Sequence, residues 1–323
     1  MNPTRISRQR ALGLIVAAAL FIGVAAITLQ QGLYAGQLES GKEIRRTFDV
    51  RPGGTLTLEA QGGSVEVRTS SKPKVTVVIT FDTYWGGRWG DLEDIEELYE
   101  VEFDQSGKDV LIRGRWRGRW SRRNRLRIHY LITVPRKYSG DISTSGGNVE
   151  VADLDGNLRV STSGGGVKMG HISGTVEGRT SGGSIRLAGS GGDVDLRTSG
   201  GAIKMGSAKG TVTAKTSGGS IDIDGVEGAI QARTSGGSIT ARILGQPTSS
   251  SVLETSGGGI TLYLADDLKL DIDARASGGG VRSDLPVTVT HYNSRRTLRG
   301  TINGGGPELY LRTSGGSIKL LKD

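Results

Sequence analysis

The sequence predicts an all-β protein, a single-domain parallel β-solenoid with two short strands in each 18-residue coil, preceded by an N-terminal transmembrane helix. Three observations predict this fold. A Ser-Gly-Gly turn recurs at a constant step of 18 residues, apolar and polar residues alternate between the turns, and one long uncharged segment stands near the N-terminus. A repeat of this length buries its apolar side chains only by stacking on its neighbours, which makes a solenoid.

The N-terminal segment predicts that the rest of the chain is exported. Residues 1–10 form a basic tail with three arginines, and residues 11–29 contain no charged side chain. About 20 apolar residues cross a bilayer as a helix, and upstream arginines keep such a tail in the cytoplasm. A cleaved signal peptide is the alternative, with Val24 and Ala26 as its small residues before the cleavage site. Beyond a linker at residues 30–43, the chain is therefore expected outside the cytoplasm, membrane-anchored or, after cleavage, secreted.

The repeat divides the exported part into regions. Coils of 18 to 21 residues are expected over residues 141–285, a weaker copy of the turn precedes them at Gln61–Ser70, and residues 286–323 are expected as closing coils at the C-terminal end. The turn begins at Ser145, Ser163, Ser181, Ser199, Ser217 and Ser235, then at Ser256, Ser277 and Ser314.

Aligned coils place apolar residues in columns. One strand contributes Val167, Ile185, Ile203, Ile221 and Ile239, and the opposing strand contributes Leu158, Val176, Val194, Val212 and Ile230. A period of two within a strand and of 18 between strands predicts that each strand pairs in parallel with its equivalent in the next coil. Thr180, Thr198 and Thr216 form another column, and the serines that follow them form the next one. The hydroxyl groups of both columns are expected to form ladders.

Composition argues against an enzyme. The chain has no Cys, which excludes disulfides, thiolate nucleophiles and sulfur-ligated metals, and its three histidines, His129, His171 and His291, are far apart in sequence. The turns also lack the regular Asp of calcium-binding β-rolls. We therefore expect no catalytic residue, no metal and no cofactor.

Several motifs resemble one known family. The strand motif Ile44–Val67, the segment YLITVPR at Tyr130–Arg136, the repeated TSGG units and the ending GPELYLRTSGGSIKLL occur in this order. They resemble the bacterial putative-adhesin family, a β-strand-repeat domain of unknown function with TSGG-type solenoid repeats. The resemblance covers about residues 44–323 and implies a solenoid with a surface adhesion role, without catalytic residues. A Trp- and Arg-rich stretch before YLITVPR departs from the pattern of the family.

This stretch belongs to residues 44–140, which are expected to combine an N-terminal coil with a charged helix and hairpin. The segment Asp91–Asp104 has eight acids and no base, and it predicts a short surface helix that runs into a strand. The segment Arg113–Arg127 has eight arginines and no acid, and it predicts a β-hairpin with a basic tip. Alternate residues of a strand face opposite sides, so the arginines are expected on one face and the glycines and indoles on the other.

Two interpretations of this hairpin remain open. Guanidinium groups suit phosphate and carboxylate, so the hairpin is a candidate site for an anionic envelope polymer such as an acidic polysaccharide. The alternative is that the acidic and basic blocks neutralise each other while the indoles cover the end of the solenoid. Nucleic acid is disfavoured because the chain is exported. The candidate polyanion-binding residues are Arg113, Arg115, Arg117, Arg119, Arg122 and Arg123, with Trp116 and Trp120.

A second basic feature follows from the repeat. Stacked coils bring the cations of one column to about 4.8 Å from each other, which makes a candidate track for an extended acidic polysaccharide. A shorter parallel column of cations is interrupted by Asp222. The alternative is a solvated edge that discourages aggregation. The basic ladder consists of Arg179, Arg197, Lys215 and Arg233.

Together these features predict a non-enzymatic cell-envelope surface protein of adhesion type, which binds anionic envelope polymers or surfaces. Two alternatives are a self-associating structural envelope protein and an accessory sensor in an envelope-stress or signalling system. Salt-dependent binding that requires the arginines is expected of a binder. Concentration-dependent mass is expected of an assembler, and co-purification with a membrane partner is expected of a sensor.

Overall fold

The strands form two sheets of fourteen strands each, which we call sheet A and sheet B. The computed structural model describes residues 38–39, 43–83, 95, 98–117, 126–290 and 294–323. The predicted membrane segment at residues 11–29 lies outside these ranges, and within them no helix is long and apolar enough to cross a membrane. The first eight strands are β1 Leu38–Glu39, β2 Glu43–Asp49, β3 Thr55–Ala60, β4 Ser64–Ser70, β5 Lys74–Thr83, β6 Tyr99–Ser106, β7 Asp109–Trp116 and β8 Leu126–Pro135.

The regular coils follow the predicted 18-residue register. Val167 lies opposite Ile185 in sheet A and Leu158 lies opposite Val176 in sheet B, each in a parallel pair. Odd-numbered strands lie in sheet B and even-numbered strands in sheet A. They are β9 Ser139–Thr144, β10 Val149–Val151, β11 Leu158–Thr162, β12 Val167–Ile172, β13 Val176–Thr180, β14 Ile185–Ser190, β15 Val194–Thr198, β16 Ile203–Ala208, β17 Val212–Lys215, β18 Ile221–Val226, β19 Ile230–Thr234, β20 Ile239–Ile243, β21 Ser251–Thr255 and β22 Ile260–Leu264.

The core lies between the two sheets, where the predicted columns meet. Buried and exposed residues alternate along β11, and the same alternation continues through the later coils. Ile185, Ile203 and Ile239 are completely buried. Small residues, Gly178 and Ala214, lie in the facing sheet-B column. Because β-branched side chains fit a pleated surface and small ones let the sheets approach closely, this pattern fills a thin core.

A buried threonine precedes each regular Ser-Gly-Gly turn and joins two coils. Oγ1 of Thr198 donates to the carbonyl oxygen of Gly183 in the preceding coil at 2.8 Å and accepts a bond from the amide of Gly201 in its own turn. The hydroxyl groups therefore do not form the predicted ladder with one another, because each donates its single proton to a glycine carbonyl. The same donation to the preceding coil recurs at Thr144, Thr162, Thr180, Thr216, Thr234, Thr255 and Thr313.

The N-terminal end is built out of sequence order. The coil formed by β3 and β4, which contains the weak early copy at Gln61–Ser70, lies directly beside the first regular coil of β9 and β10. On its other side it pairs with β7 and β8. Antiparallel strands continue each sheet from there, β5, β2 and β1 in sheet A and β6 in sheet B. Strands β6, β7 and β8, which contain most of the described residues of the charged stretch, thus belong to the outermost part of the solenoid at its N-terminal end.

The predicted hairpin within Arg113–Arg127 is wrong. Strand β7 lies in sheet B and β8 lies in sheet A, so the two strands face each other across the core. The physical reason is that both strands have a buried inner face, and Gly114 of β7 packs against Tyr130 of β8. Strand β7 instead forms a hairpin with β6, whose turn contains Gly107 at a φ of 59°.

The acidic segment ends in strand β6, which begins at Tyr99. Of the predicted helix before this strand the structure describes only Ile95 and Leu98, so the helix stays a prediction. Ile95 is buried, and it belongs to the main apolar cluster.

The C-terminal end also departs from chain order. Strands β27 and β28 insert between the coil of β21 and β22 and the coil of β23 and β24. The sequence predicts that residues 286–323 close the C-terminal end, but only β25 and β26 of that region lie beyond β23. These last strands are β23 Leu270–Ala276, β24 Val281–Ser283, β25 Thr288–Val289, β26 Thr297–Ile302, β27 Glu308–Thr313 and β28 Ile318–Lys322.

Candidate anion-binding edge

The Ser-Gly-Gly turns stack into one exposed ridge along the solenoid, and we call this feature the ridge. The serine of each turn is exposed from Ser145 to Ser314. The second glycine packs on the turn before it, since a Cβ at Gly201 would overlap the carbonyl oxygen of Gly183. Glycine at this position therefore allows the coils to approach to the distance of a β-ladder.

The predicted basic ladder forms one side of the ridge, on the outer face of sheet B. Arg179 lies opposite Arg197, which lies opposite Lys215, and Lys215 lies opposite Arg233. Three of the four cations also have carboxylate partners. Nη2 of Arg179 lies 2.7 Å from Glu177, Nε of Arg197 lies 2.8 Å from Asp195, and Nε of Arg233 lies 2.7 Å from Glu254.

These ion pairs are exposed to solvent, and the pair of Arg197 with Asp195 shifts the pKa of the arginine. The hydrogen bond from Arg197 to Asp195 raises the pKa of this guanidinium, which stays charged at every relevant pH. The arginine side chains of the ladder are about half exposed. Exposed pairs contribute only about 0–1 kcal/mol each, so the arginines can exchange these partners for another anion at little cost.

A second column of cations forms the other side of the ridge, on the outer face of sheet A. Lys168 lies opposite Arg186, which lies opposite Lys204. Nζ of Lys168 lies 2.6 Å from Glu150, and Nζ of Lys204 lies 3.8 Å from Asp222. Within the described residues, Arg186 of this column and Lys215 of the ladder have no carboxylate within ion-pair distance.

The ridge is therefore strongly basic. Over residues 139–243, the outward positions that flank it carry seven cations and two acids. The acids are Glu150 and Asp222, and the cations are Lys168, Arg179, Arg186, Arg197, Lys204, Lys215 and Arg233.

The opposite side of the same coils is acidic. Outward strand positions remote from the ridge, together with the second turn of each coil, carry eight acids against Arg159, Lys209 and Arg242. Along sheet B this side forms an open groove of about 820 Å³. We call this feature the groove, and its charged lining consists of Asp141, Glu177, Asp193, Asp195 and Arg159. The eight acids are Asp141, Asp153, Asp155, Glu177, Asp193, Asp195, Asp224 and Glu227.

The segregation of charge was not foreseen from the sequence, although the sequence contained its signal. In β13 and β15 an acid stands two residues before the arginine, on the same outer face. The i, i+2 spacing places the two charges in neighbouring columns of one sheet.

The arginines of β7 are in a more neutral environment. Nε of Arg113 lies 3.1 Å from Glu59, and Nη2 of Arg117 lies 2.8 Å from Glu100. The hydrogen bond from Arg117 lowers the pKa of the Glu100 carboxyl group, and Arg115, opposite Glu100 in the ladder, acts in the same direction. Along β7 the burial pattern confirms that Arg113 and Arg115 lie on the outer face and Gly114 on the inner face.

Trp116 packs against the core. Its ring centroid lies 4.9 Å from that of Tyr99, in an edge-to-face arrangement, and its backbone amide donates to Gln61. The indole of Trp116 is therefore partly buried against the apolar core. Arg119, Trp120, Arg122 and Arg123 lie outside the described residues.

The basic edge continues into the C-terminal coils. Arg275 and Arg312 lie opposite each other, beside the ridge and close to Asp273. Nη2 of Arg312 lies 2.8 Å and Nη2 of Arg299 lies 3.2 Å from the same oxygen of Asp273. The guanidinium of Arg312 also lies 3.7 Å from the ring centroid of Tyr310. One carboxylate therefore organises the arginines at this end.

The part of the chain that the structure describes contains no candidate metal site. No group of three or more His, Asp or Glu side chains with the geometry to hold a metal ion occurs there. His129 lies on the outer face of sheet A, where its Nδ1 is 2.9 Å from the hydroxyl of Ser64.

The repeat, the two sheets and the terminal copy of the turn agree with one known family. The family model described as Toastrack DUF4097 matches residues 55–321. The chain belongs to this family. The Toastrack match begins at β3 and ends within β28, so it spans both of the coils that are inserted out of sequence order. No curated protein matches the chain.

Solved structures similar to this Toastrack chain include three proteins whose names describe them as adhesion proteins. A putative adhesin from Bacteroides fragilis NCTC 9343 is 13% identical, and the match covers 88% of this chain and 98% of that chain with a TM-score of 0.37. For a putative adhesin from Parabacteroides distasonis ATCC 8503 the identity is 12%, the coverage 87% and 98%, and the TM-score 0.35. A putative cell adhesion protein from Clostridium sporogenes ATCC 15579 is 15% identical. The match covers 87% of this chain and 100% of that chain, with a TM-score of 0.22. Because these TM-scores are low, the fold of this chain is assigned from its own strand pairing.

Proposed function

We propose that the protein is a non-enzymatic cell-envelope surface protein of adhesion type, which binds anionic polymers along the ridge. The observation that carries the proposal is the excess of cations beside the ridge, with seven cations and two acids over residues 139–243. Membership of the Toastrack family and similarity to structures of putative adhesins support a surface role of this kind.

The geometry of the ridge favours an extended ligand. The cations of each column lie in consecutive coils, four in the ladder and three in the sheet-A column. They are spaced at about 4.8 Å along the solenoid, and the turn between the columns contains only serine and glycine. A linear chain of uronic acids or phosphodiesters meets several cations at once in this arrangement. Serine hydroxyl groups are available to donate hydrogen bonds to its oxygens.

Location at the cell surface is part of this proposal. Residues 11–29 contain no charge and follow a basic tail, which favours a membrane anchor with the solenoid outside the cytoplasm. Cleavage of the same segment would release the solenoid as a secreted protein. In both cases the ridge is exposed to envelope polymers.

The test is binding of the full chain, in detergent, to polygalacturonate over a series of salt concentrations. Neutral dextran is the control polymer. We expect binding to polygalacturonate that weakens at least tenfold between about 50 mM and 0.5 M salt, since the screening length falls to about 4 Å. Binding to dextran at the same strength, or binding that ignores salt, would contradict the proposal.

Matched variants locate the site. Arg186→Gln/Lys204→Gln/Lys215→Gln removes three cations beside the ridge, and Arg113→Gln/Arg115→Gln/Arg117→Gln removes three cations from β7. We expect the ridge variant to lose binding at least tenfold and the β7 variant to lose less than threefold. In the column that leads to the basic ladder, Arg113 is separated from Arg179 by Glu59, Ser143 and Ser161, so it does not extend the run of consecutive cations. The reverse order would move the site to the charged stretch.

A further inference from the structure

We infer that copies of this protein associate side by side, with the ridge of one copy seated in the groove of the next. This contact goes beyond the proposed function and does not depend on it. The occupant of the groove is a second copy of the chain, because the same coils carry both a basic convex surface and an acidic concave one.

Charge complementarity is the first argument. Residues 139–243 carry ten cations and ten acids, so this stretch has no net charge, yet the charges are segregated. The ridge side has seven of the cations, and the remote side has eight of the acids. Opposed potentials of this kind direct association and set its orientation.

Shape and period are the second argument. The ridge is a line of small Ser-Gly-Gly turns between two columns of cations, and the groove is a concave strip of about 820 Å³ that extends over successive coils of sheet B. Both surfaces follow the period of the coils, because Arg197 and Asp195 belong to columns with the same register. Glu177 and Asp195 occupy consecutive coils of the acidic column, so a contact between one cation and one acid is repeated in two coils. The coils on either side carry Arg159 and Thr213 at this position.

The contact joins two different surfaces, so it is heterologous and leaves a free ridge at one end and a free groove at the other. Rows of copies follow from this arrangement. The ridge from Ser145 to Ser235 spans six coils, about 29 Å. A strip about three residues wide buries a few hundred Å² per copy, less than the roughly 800 Å² of a standard interface. The association is therefore weak, and it depends on salt.

Cysteine cross-linking tests the contact directly, because the chain contains no Cys. Ser199→Cys places one thiol on the ridge, and Thr211→Cys places one thiol in the groove. Both side chains are exposed. In the full chain, a short bis-maleimide is expected to cross-link a mixture of the two variants at least tenfold more than either variant alone. Equal cross-linking of Ser199→Cys with itself would overturn the inference.

Charge reversal then tests the cause of the contact. Arg186→Glu/Lys215→Glu is added to the Ser199→Cys copy, and Asp141→Lys/Thr213→Lys is added to the Thr211→Cys copy. Either reversal alone is expected to reduce the mixed cross-link at least fivefold, and the two together are expected to restore it. Restoration is not expected of misfolded chains. Failure to restore, or cross-linking unchanged in about 0.5 M salt, would overturn the inference.

The two proposals fail in different ways. The groove variant Asp141→Lys/Thr213→Lys leaves the ridge intact, so it is expected to retain binding to polygalacturonate while losing self-association. If the chain cross-links as expected but binds no polymer, self-association is supported and the proposed function is contradicted. If the chain binds polymer but forms no ridge-to-groove cross-links, the proposed function is supported and self-association is contradicted.

Discussion

The hydroxyl oxygens of Tyr99 and Tyr130 lie 2.6 Å apart and share a hydrogen bond inside the N-terminal end of the solenoid. Tyr99 belongs to β6 in sheet B and Tyr130 to β8 in sheet A, so the bond connects the two sheets. Both rings are buried. Gly114 leaves the space for this pair, since a Cβ there would overlap both hydroxyl groups.

This pair predicts a loss of stability at alkaline pH. Burial raises the pKa of Tyr99 from 10.0 to about 12, and burial also raises the pKa of Tyr130 well above its ordinary range. Between pH 10 and pH 12 the unfolded chain has released these protons while the folded chain retains them, so stability falls as pH rises. Urea unfolding across this range is expected to show a loss of at least about 2 kcal/mol.

Phenylalanine variants supply the control. Tyr99→Phe alone leaves one buried hydroxyl without its partner and is expected to cost about 1–3 kcal/mol at neutral pH. Tyr99→Phe/Tyr130→Phe removes both hydroxyl groups and is expected to cost no more than the single change. The alkaline loss is expected to shrink in the double variant, with a remainder from Tyr138, whose pKa burial raises to about 12. An unchanged alkaline slope would contradict this assignment.

The buried threonine before each turn is expected to stabilise the stack of coils. Thr198→Val keeps the shape of the side chain but removes its bonds to the carbonyl of Gly183 and the amide of Gly201. Two backbone groups then lose their partners, and we expect a cost of about 1–3 kcal/mol in urea unfolding. Ser199→Ala, on the exposed ridge, is the control and is expected to change stability by less than about 0.5 kcal/mol. Equal effects would contradict the role of the threonine.

The second glycine of each turn is expected to tolerate no side chain. Gly201→Ala places a Cβ against the carbonyl oxygen of Gly183, a backbone atom that moves only with its coil. We expect a cost of at least about 2 kcal/mol, measured as the shift in the urea midpoint. Gly164→Ala is the matched control, since nothing lies within 4 Å of its Cβ. A tolerated alanine at position 201 would show that the coils can separate.

Gly178 and Leu196 form a complementary pair in the sheet-B column of the core. A Cβ on Gly178 would lie 2.9 Å from Cδ2 of Leu196, which fills the space that the glycine leaves. Gly178→Ala is expected to cost about 1–3 kcal/mol and Leu196→Ala about 2–5 kcal/mol. The double variant is expected to cost less than the sum, because the added methyl group enters the cavity. Additive costs in urea unfolding would indicate that the two positions do not share this space.

The regular coils could be predicted from the sequence because their rules are local and repeated. Val167 and Ile185 are 18 residues apart, and the structure pairs them directly. Alternation placed the apolar residues inside, and the outer column from Arg179 to Arg233 follows from the same register. Each coil confirms the pattern of the one before it, so a single period determines many pairs.

The ends of the solenoid could not be predicted in this way. Strand β7 and strand β8 follow each other in the chain and alternate as a hairpin would, yet they lie in opposite sheets. The same alternation of residues is compatible with a hairpin and with two strands in opposite sheets. Packing of Gly114 against Tyr99 and Tyr130 selects the placement in opposite sheets, and this packing depends on residues from three different strands.

By itself the sequence determined the repeating unit, its register, the inward columns and the Ser-Gly-Gly turns, since these depend on contacts one coil apart. Only the tertiary structure decided the order of the end coils, with β3 and β4 beside β9 and β10 and with β27 inserted between β21 and β23. It also revealed that Glu177 and Asp195 form an acidic groove beside the basic ladder. The physical reason is that these features depend on which coil stacks on which, and a periodic pattern is the same for every stacking order.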